Sequence, residues 1–223
     1  MEKEINYKEL YSLQDEILAI VFTLDNSFYL TGGTALHRFY YNDRFSDDLD
    51  FFAYNDALFG ESVNEVIDTL SKKKYEVKHT VKAKDFHRVM VNDFLQLDFV
   101  NDRVHREGKS NVIDTIRVDN KINILANKVT AIIGRDEEKD IFDLFTLAKN
   151  EDFSWKDILE IANEKSVIEK DILIYRLKSF PLQWLKNIKE INSHEITEDM
   201  VKQICNDILL EQNNSLKLIK KEK

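Results

Sequence analysis

The sequence predicts an α+β fold, in which an N-terminal half with a mixed β-sheet flanked by helices precedes a helical C-terminal half. Short apolar runs typical of strands occur in the first half, at 28–30, 48–53, 75–81, 86–92, 94–100 and 115–118. From residue 121 onward, apolar residues recur at helical spacing. We therefore expect two domains, residues 1–118 and 119–223, with a boundary near residue 119.

The same spacing predicts a helix over 7–24, another over 34–41 and a third over 56–71. Tight connections between the three strands from 75 to 100 favour a meander, and a polar loop follows at 101–111. In the second half, we expect helices at 121–133, 137–149, 154–163, 168–178, 182–188 and 198–220.

The composition is that of a globular protein, with 43% hydrophobic and 11% aromatic residues. No stretch approaches the roughly 18 consecutive apolar residues of a membrane span, and the charged start of the chain lacks a secretory core. Cys205 is the only cysteine, so an intrachain disulfide is excluded and a cytoplasmic location is expected. The net charge of −9 argues against a protein that coats nucleic acid, and lysine clusters at 72–84 and 217–223 are each typical of a solvated surface.

Two of the five glycines are adjacent, Gly32 and Gly33, between a predicted strand and a predicted helix. Glycine lets backbone N–H groups approach an anion, and a helix N-terminus favours negative charge, so a triphosphate could bind there. A glycine pair alone is more often an ordinary turn. It becomes informative because of the carboxylates that follow it.

Asp48 and Asp50 lie two residues apart on a predicted strand, so both side chains project from one face, roughly 6–7 Å apart. Leu49 and Phe51 then point to the core, and Asp47 does not share the parity of Asp48 and Asp50. Two such carboxylates repel each other unless a cation lies between them, and Mg²⁺ prefers carboxylate and phosphate oxygens. The alternative is a solvated pair on an exposed edge strand or turn.

Asp98 is embedded in an otherwise apolar run, 94–100, where an unpaired charge would be costly. If this strand lies beside 48–53, three carboxylates converge and could hold two metal ions roughly 3.5–4 Å apart. The alternative is a salt bridge between Asp98 and Arg88 or Arg103.

Two blocks of sequence resemble the AbiEii/AbiGii toxin family of nucleotidyltransferases, within the DNA polymerase β-like superfamily. The first block is Gly32-Gly33-Thr34-Ala35-Leu36 with Arg44-Phe45-Ser46-Asp47-Asp48-Leu49-Asp50-Phe51, which matches a Gly-Gly turn, a spacer and Asp-x-Asp. The second lies in 125–132 and 135–144, where the family has a helical lysine and then Lys/Arg-Asp-x-x-Asp-Leu. The resemblance covers roughly residues 28–147, and the helices beyond carry no matching motif.

The resemblance implies transfer of a nucleoside monophosphate from an NTP to an acceptor hydroxyl, with Mg²⁺ or Mn²⁺ as cofactor. Asp48, Asp50 and Asp98 would bind the metal, and Asp98 would also be a candidate base. The residues expected to bind the nucleotide are Gly32, Gly33, Thr34, Ser46 and Lys128. Asp143 would support the active site, which the helical domain would complete. On a helix, Asp136, Asp140 and Asp143 would share one face. Without the resemblance, that face and Lys128 would be interpreted as a solvated helix surface.

The family also implies the toxin of a toxin–antitoxin or abortive-infection system, with a separately encoded antitoxin and with tRNA as a candidate acceptor. Two alternatives stay open. The acidic net charge fits a cationic small-molecule acceptor, such as an aminoglycoside, at least as well as it fits RNA. A nucleotide-binding module without turnover is the other, although the presence of Asp48, Asp50, Asp98 and Lys128 argues against it.

Overall fold

The computed structural model describes residues 5–192 and 195–217. Their backbone contacts divide the chain into two units. The first runs to Tyr40 and continues with Phe45–Arg103 and Lys109–Asp119. The second comprises Tyr41–Arg44, Val104–Gly108 and the chain from Asn120 onward. The second unit therefore includes two short segments that precede residue 119.

The first unit contains a mixed sheet of seven strands: β1 (Tyr29–Thr31), β2 (Asp48–Tyr54), β3 (Val77–Lys82), β4 (Phe86–Val91), β5 (Leu95–Asp102), β6 (Asn111–Ile113) and β7 (Ile116–Val118). The strand order is β3-β4-β5-β2-β1-β7-β6. The predicted meander is confirmed, since β3, β4 and β5 are antiparallel neighbours. β2 pairs with β5 in parallel and with β1 antiparallel. β6 was missed because residues 101–111 read as loop; it forms a hairpin with β7 around Asp114, whose φ is 55°.

Helices α1 (Tyr7–Thr23) and α3 (Phe59–Lys72) pack on one face of this sheet. That face is apolar, and in β2 and β5 it is formed by Leu49, Phe51, Leu97 and Phe99, all fully buried. Phe51 and Phe99 stack with ring centroids 5.2 Å apart. Helix α2 (Gly32–Leu36) begins directly after β1 and continues as a π-helical turn, His37–Tyr41. Because side chains alternate along a strand, the polar residues of β2 project from the opposite face.

The second unit is helical, with α4 (Lys121–Gly134), α5 (Glu138–Asn150), α6 (Trp155–Lys165), α7 (Lys170–Ser179), a 3₁₀ helix (Leu182–Asn187) and α8 (Glu198–Leu210). Side chains of Asn120, Ser154 and Thr197 cap α4, α6 and α8 by accepting a backbone N–H. The prediction that the last helix reaches residue 220 is wrong within the described residues, because Glu211 adopts a left-handed conformation that ends α8. Residues 218–220 lie outside the described residues. No helix in the described part of the chain has both the length and the apolar character to cross a membrane.

Candidate active site

Asp48 and Asp50 begin β2 and project from the polar face of the sheet. Both are partly exposed, whereas Leu49 and Phe51 between and after them are buried. The predicted alternation is therefore confirmed. Asp47, the acid with the other parity, accepts a hydrogen bond from the Tyr7 hydroxyl at 2.8 Å, just before the strand begins.

Asp98 on β5 is adjacent to this pair. In the parallel register of β2 and β5, Asp98 stands opposite Asp50, and Gln96 stands opposite Asp48. Directly opposed residues of neighbouring strands project from the same face. The prediction that the two strands are neighbours is confirmed, with the closest relationship between Asp98 and Asp50.

The carboxylate of Asp98 is also held by Arg88, which stands opposite it on β4. Arg88 Nε and Nη2 donate to the two carboxylate oxygens at 2.8 and 2.7 Å, and Gln96 Nε2 donates to one of them at 3.3 Å. These hydrogen bonds raise the pKa of Arg88 against the opposing effect of burial, and the charges of Asp48 and Asp50 add to the rise. The salt bridge that was the alternative interpretation of Asp98 is therefore present, on a strand whose neighbour carries Asp48 and Asp50.

The chemistry of this face bears on metal binding. Within residues 5–192 and 195–217, no three His, Cys, Asp or Glu side chains form a group that could hold a metal ion. The expected site of three carboxylates is therefore not preformed, and the engagement of Asp98 with Arg88 is the physical reason. Asp48 and Asp50 still offer carboxylates from one face, and such hard oxygen donors suit Mg²⁺ that also binds substrate phosphates. The two residues fit a divalent cation.

Gly32, the first residue of the glycine pair, lies against the carboxylate of Asp50. Its φ is +70°, and a Cβ at this position would lie 2.3 Å from Asp50 Oδ2, far inside van der Waals contact. The preceding residue, Thr31, stands opposite Asp50 in the pairing of β1 with β2. Glycine is therefore needed at position 32 both for its backbone conformation and to leave room for the Asp50 carboxylate.

Thr34 and Ser46 are buried on either side of the start of β2. The Thr34 hydroxyl donates to the backbone oxygen of Asp48 at 2.5 Å. The Ser46 backbone donates its N–H to the Tyr11 hydroxyl and accepts from Gln14 Nε2, both at 3.1 Å. These contacts fix the backbone that carries Asp48. Contact of either residue with a nucleotide stays a prediction, as it does for Gly33, which is buried in α2.

Asp119, which sequence reasoning missed, is a fully buried carboxylate beside the same turn. It accepts a hydrogen bond from the Thr31 hydroxyl at 2.8 Å, and its N–H donates to the backbone oxygen of Leu30. The contact joins the end of β7 to the residue before Gly32. Its one signal in the sequence is a position directly after a short predicted strand, which does not distinguish it from a surface acid.

In the second unit, Lys128 and Asp143 belong to an ionic network that is buried apart from the exposed Arg135. Lys128 Nζ lies 2.8 Å from Asp140 Oδ1 and 2.7 Å from Asp143 Oδ2. Arg44 donates from Nε and Nη2 to the two oxygens of Asp143 at 2.7 and 2.9 Å. Arg135 Nε donates to Asp140 at 2.7 Å. We call these five residues the ionic network.

Burial alone would lower the pKa of Lys128, but the carboxylates of Asp143 and Asp140 outweigh it and raise that pKa above the ordinary value for lysine. Burial likewise opposes the charged form of Asp140, yet Lys128 and Arg135 hold its pKa below the ordinary value. Lys128 and Asp140 therefore remain charged near neutral pH. Their interpretation as a solvated helix surface, which the sequence alone would favour, is wrong.

The predicted face of three aspartates on one helix is also wrong. Asp136 precedes α5, which begins at Glu138, and it pairs with Arg176 at 2.6 Å. Asp140 and Asp143 do lie within α5, where both are buried. The extended backbone at Arg135 ends α4, and Glu137, which is also extended, separates Asp136 from α5.

Comparisons with known proteins identify the family and the fold of the chain. The family model described as Nucleotidyl transferase AbiEii toxin, Type IV TA system, matches residues 16–216. An uncharacterized protein of Aquifex aeolicus (strain VF5) is 30% identical over 182 residues, which cover 75% of this chain and 84% of the relative. JHP933 from Helicobacter pylori superposes with a TM-score of 0.59 at 21% identity, covering 93% of this chain and 92% of that one. MenT4, a nucleotidyltransferase toxin from Mycobacterium tuberculosis H37Rv, gives a TM-score of 0.61 at 15% identity, covering 91% and 84%. At these identities, the two structures show a shared fold.

Proposed function

This chain belongs to the AbiEii family of nucleotidyltransferase toxins, and we propose that it transfers a nucleoside monophosphate from an NTP to the hydroxyl of an RNA acceptor. The observation that carries the proposal is the placement of Asp48 and Asp50 on one face of β2, with Gly32 fitted against Asp50. A tRNA 3′ end is the acceptor that we propose to test first. As a member of a toxin family, the protein is also proposed to bind a cognate antitoxin.

In the proposed reaction, the acceptor oxygen forms a bond to the α-phosphorus while the bond from that phosphorus to pyrophosphate breaks. Asp48 and Asp50 would hold Mg²⁺ or Mn²⁺ through their carboxylates. When bound, a divalent cation neutralises charge on the phosphates and on the attacking oxygen. The protein would act mainly by positioning and electrostatic stabilisation, because phosphoryl transfer needs little covalent chemistry from side chains.

Asp98 would take part only when Arg88 releases it. While the guanidinium donates two hydrogen bonds to it, each oxygen of the Asp98 carboxylate is already engaged by Arg88. We therefore propose Asp98 as a third ligand that becomes available on substrate or metal binding. A role as the general base is the less favoured assignment.

Lys128 and Asp143 keep the roles that the family resemblance implies, as proposals. Lys128 would neutralise phosphate charge, and it has two carboxylate partners whose place a phosphate oxygen could take. Asp143 would hold Arg44 and Lys128 in place. The raised pKa of Lys128 keeps it cationic, as contact with a phosphate requires.

The experiment combines purified protein, Mg²⁺, total bacterial RNA and each α-labelled NTP in turn. We expect label in a tRNA-sized band with the wild-type chain and none with Asp48→Asn/Asp50→Asn. Asp68→Asn, an exposed acid on α3, is the matched control and should label as the wild type does. Circular dichroism verifies that each variant is folded. Labelling that survives the double substitution would overturn the assignment of the two aspartates. Labelling of an added aminoglycoside in place of RNA would overturn RNA as the acceptor.

A further inference from the structure

The edge strand β3 and the turns beside it carry a dense group of lysines. Six lysines occur within residues 72–84, against one acidic residue, Glu76, in a chain whose net charge is −9. All six are exposed: Lys72, Lys73, Lys74, Lys78, Lys82 and Lys84. We call this group the lysine edge. The lysine edge is therefore positively charged, whereas the chain as a whole is negatively charged.

Ion pairs do not neutralise the lysine edge in the part of the chain that the structure describes, although Lys84 interacts electrostatically with the adjacent Asp85. Within the described residues, none of its six ammonium groups lies within 4.0 Å of a carboxylate oxygen. The guanidinium groups nearby differ, since Arg88 is paired with Asp98 and Arg103 with Asp85. The C-terminus of α3 favours the nearby Lys72. It does not account for the lysines on β3 and in the turn that follows.

The register of the sheet relates Lys78 of the lysine edge to the carboxylates, whereas Lys82 stands opposite His87 and projects from the other face. Lys78 stands opposite Met90 on β4, Met90 opposite Gln96 on β5, and Gln96 opposite Asp48 on β2. Because directly opposed residues share a face, Lys78 projects from the face that carries Asp48. The two are three strand spacings apart, or roughly 14 Å. Both ends of this row are accessible, since Lys78 is exposed and Asp48 is partly exposed.

We propose that the lysine edge binds the phosphate backbone of an RNA acceptor whose 3′ end reaches Asp48 and Asp50. A strand of a few nucleotides bridges the separation between Lys78 and Asp48. Flexible ammonium groups suit phosphates spaced along such a strand, since they neutralise charge without a fixed geometry. The proposal rests on the proposed transfer for the identity of the acceptor, whereas the binding itself is measurable without transfer.

RNA fits this surface better than an acidic protein does. Protein interfaces generally have an apolar centre in which lysine is depleted. Within residues 77–84, Val81 is the large apolar residue with substantial exposure, at 39%. A strip of exposed lysines that form no ion pair with any described residue, and that has so little apolar surface, matches the electrostatic footprint of nucleic-acid binding. Lysines on an edge strand also discourage pairing with another sheet. The experiment separates this protection against association from the binding of RNA.

The test measures binding of a fluorescein-labelled tRNA transcript by fluorescence anisotropy over a range of salt concentrations. All variants carry Asp48→Asn/Asp50→Asn, so that no transfer occurs. The edge variant adds Lys78→Gln/Lys82→Gln/Lys84→Gln. The control adds Lys156→Gln/Lys186→Gln/Lys202→Gln, which removes the same charge from exposed positions of the second unit. A third variant replaces the three edge lysines by arginine, which preserves the charge.

We expect the edge variant to raise the Kd about tenfold or more at moderate salt, and to reduce the slope of log Kd against log salt by about 0.7 for each phosphate that is no longer neutralised. The control and the arginine variant should bind as the parent does. An unchanged Kd and slope in the edge variant would overturn the proposal, as would an equal weakening in the control. Displacement of the RNA by polyglutamate at a similar charge concentration would assign the surface to an acidic protein instead.

The two proposals fail separately. RNA binding that depends on the lysine edge, without transfer by the wild-type chain, would sustain this inference and overturn the proposed function. The opposite outcome is a chain with intact aspartates that transfers to RNA with a KM for RNA unchanged by the edge substitutions. That result would sustain the proposed function and overturn this inference. Light scattering shows whether the edge variant remains monodisperse. If the edge variant associates, RNA binding by the arginine variant is the test instead, because this variant preserves the charge. Weak RNA binding by the arginine variant would also overturn the proposal.

Discussion

Arg88 donates two hydrogen bonds to Asp98, which stands opposite Asp50 in the neighbouring strand. The guanidinium thus supplies positive charge beside three aspartates that project from one face of the sheet. In the absence of a divalent cation, this contact reduces the repulsion among the carboxylates. It also means that a cation which recruits Asp98 has to compete with Arg88.

Removal of that competitor should strengthen metal binding. For Arg88→Gln, we expect Mn²⁺ to bind about fivefold more tightly, which corresponds to the roughly 1 kcal/mol of a partly exposed ion pair. Isothermal titration of the chain with Mn²⁺ measures the change. Arg103→Gln, which breaks the separate pair with Asp85, is the control and should leave the affinity unchanged. Equal or weaker binding by Arg88→Gln would show that Arg88 does not compete.

Gly32→Ala should damage both stability and activity. The left-handed backbone costs a residue with a Cβ about 1–2 kcal/mol, and the added atom would displace the Asp50 carboxylate. We expect a lower melting temperature together with a loss of transfer larger than the loss of folded protein. Gly60→Ala is a matched control, because a Cβ there meets nothing within 4 Å and alanine suits a helical position in the first turn of α3. Normal transfer by Gly32→Ala would contradict the close approach to Asp50.

The ionic network predicts unequal costs for its members. Asp143→Asn leaves Arg44, whose side chain is 2% exposed, without its carboxylate, and should cost about 3–5 kcal/mol. Lys128→Met leaves Asp140 with Arg135 and Asp143 with Arg44, so we expect a clearly smaller loss of stability. Urea unfolding of both variants beside exposed Lys156→Met measures the difference. A larger loss for Lys128→Met would refute this account of the pairing.

His79 and His87 predict a dependence of stability on pH. Their ring nitrogens, Nε2 and Nδ1, lie 3.0 Å apart. Burial lowers the pKa of both histidines, and the charge of Lys82 lowers it further, while His79 also contributes to the shift of His87. Because the folded chain binds these protons less readily than the unfolded chain, the stabilisation is complete above the unfolded pKa of about 6.5. It is lost as the pH falls through the lower pKa values of the folded state.

The melting temperature of the wild-type chain should therefore fall on acidification through this range more steeply than that of His79→Gln/His87→Gln. Differential scanning calorimetry in buffers of matched ionic strength compares the two. Parallel curves for the two proteins would show that the histidine pair does not contribute.

Local patterns in the sequence were sufficient to predict six of the seven described strands, the meander and the shared face of Asp48 and Asp50. Alternation fixes which side chains share a face, and the helical period fixes which segments are helices. The ionic partners were harder to predict. Arg88 was one of two partners considered for Asp98, and only the register of β4 against β5 decides between them. Strand order is a property of the whole sheet, which local periodicity does not encode.

The burial of polar residues was the other feature that local sequence patterns did not predict. Lys128 and Asp143 have the composition of a helix surface, yet Asp143 is fully buried and Lys128 nearly so. Their partner Arg44 lies far away in the sequence. The thirteen-residue α8 ends where Glu211 turns left-handed, at a position that carries no glycine or proline to mark the end.

Arg44 belongs to the second unit, although the residues that flank the segment 41–44 on both sides belong to the first. A fragment that began at Asn120 would contain Asp143 without its guanidinium partner, and we expect such a fragment to be poorly folded. The helical unit is therefore not a contiguous genetic module. If recombination exchanged this unit between relatives, it would have to transfer residues 41–44 and 104–108 as well. The smallest piece that can be exchanged is therefore a matched set of three segments.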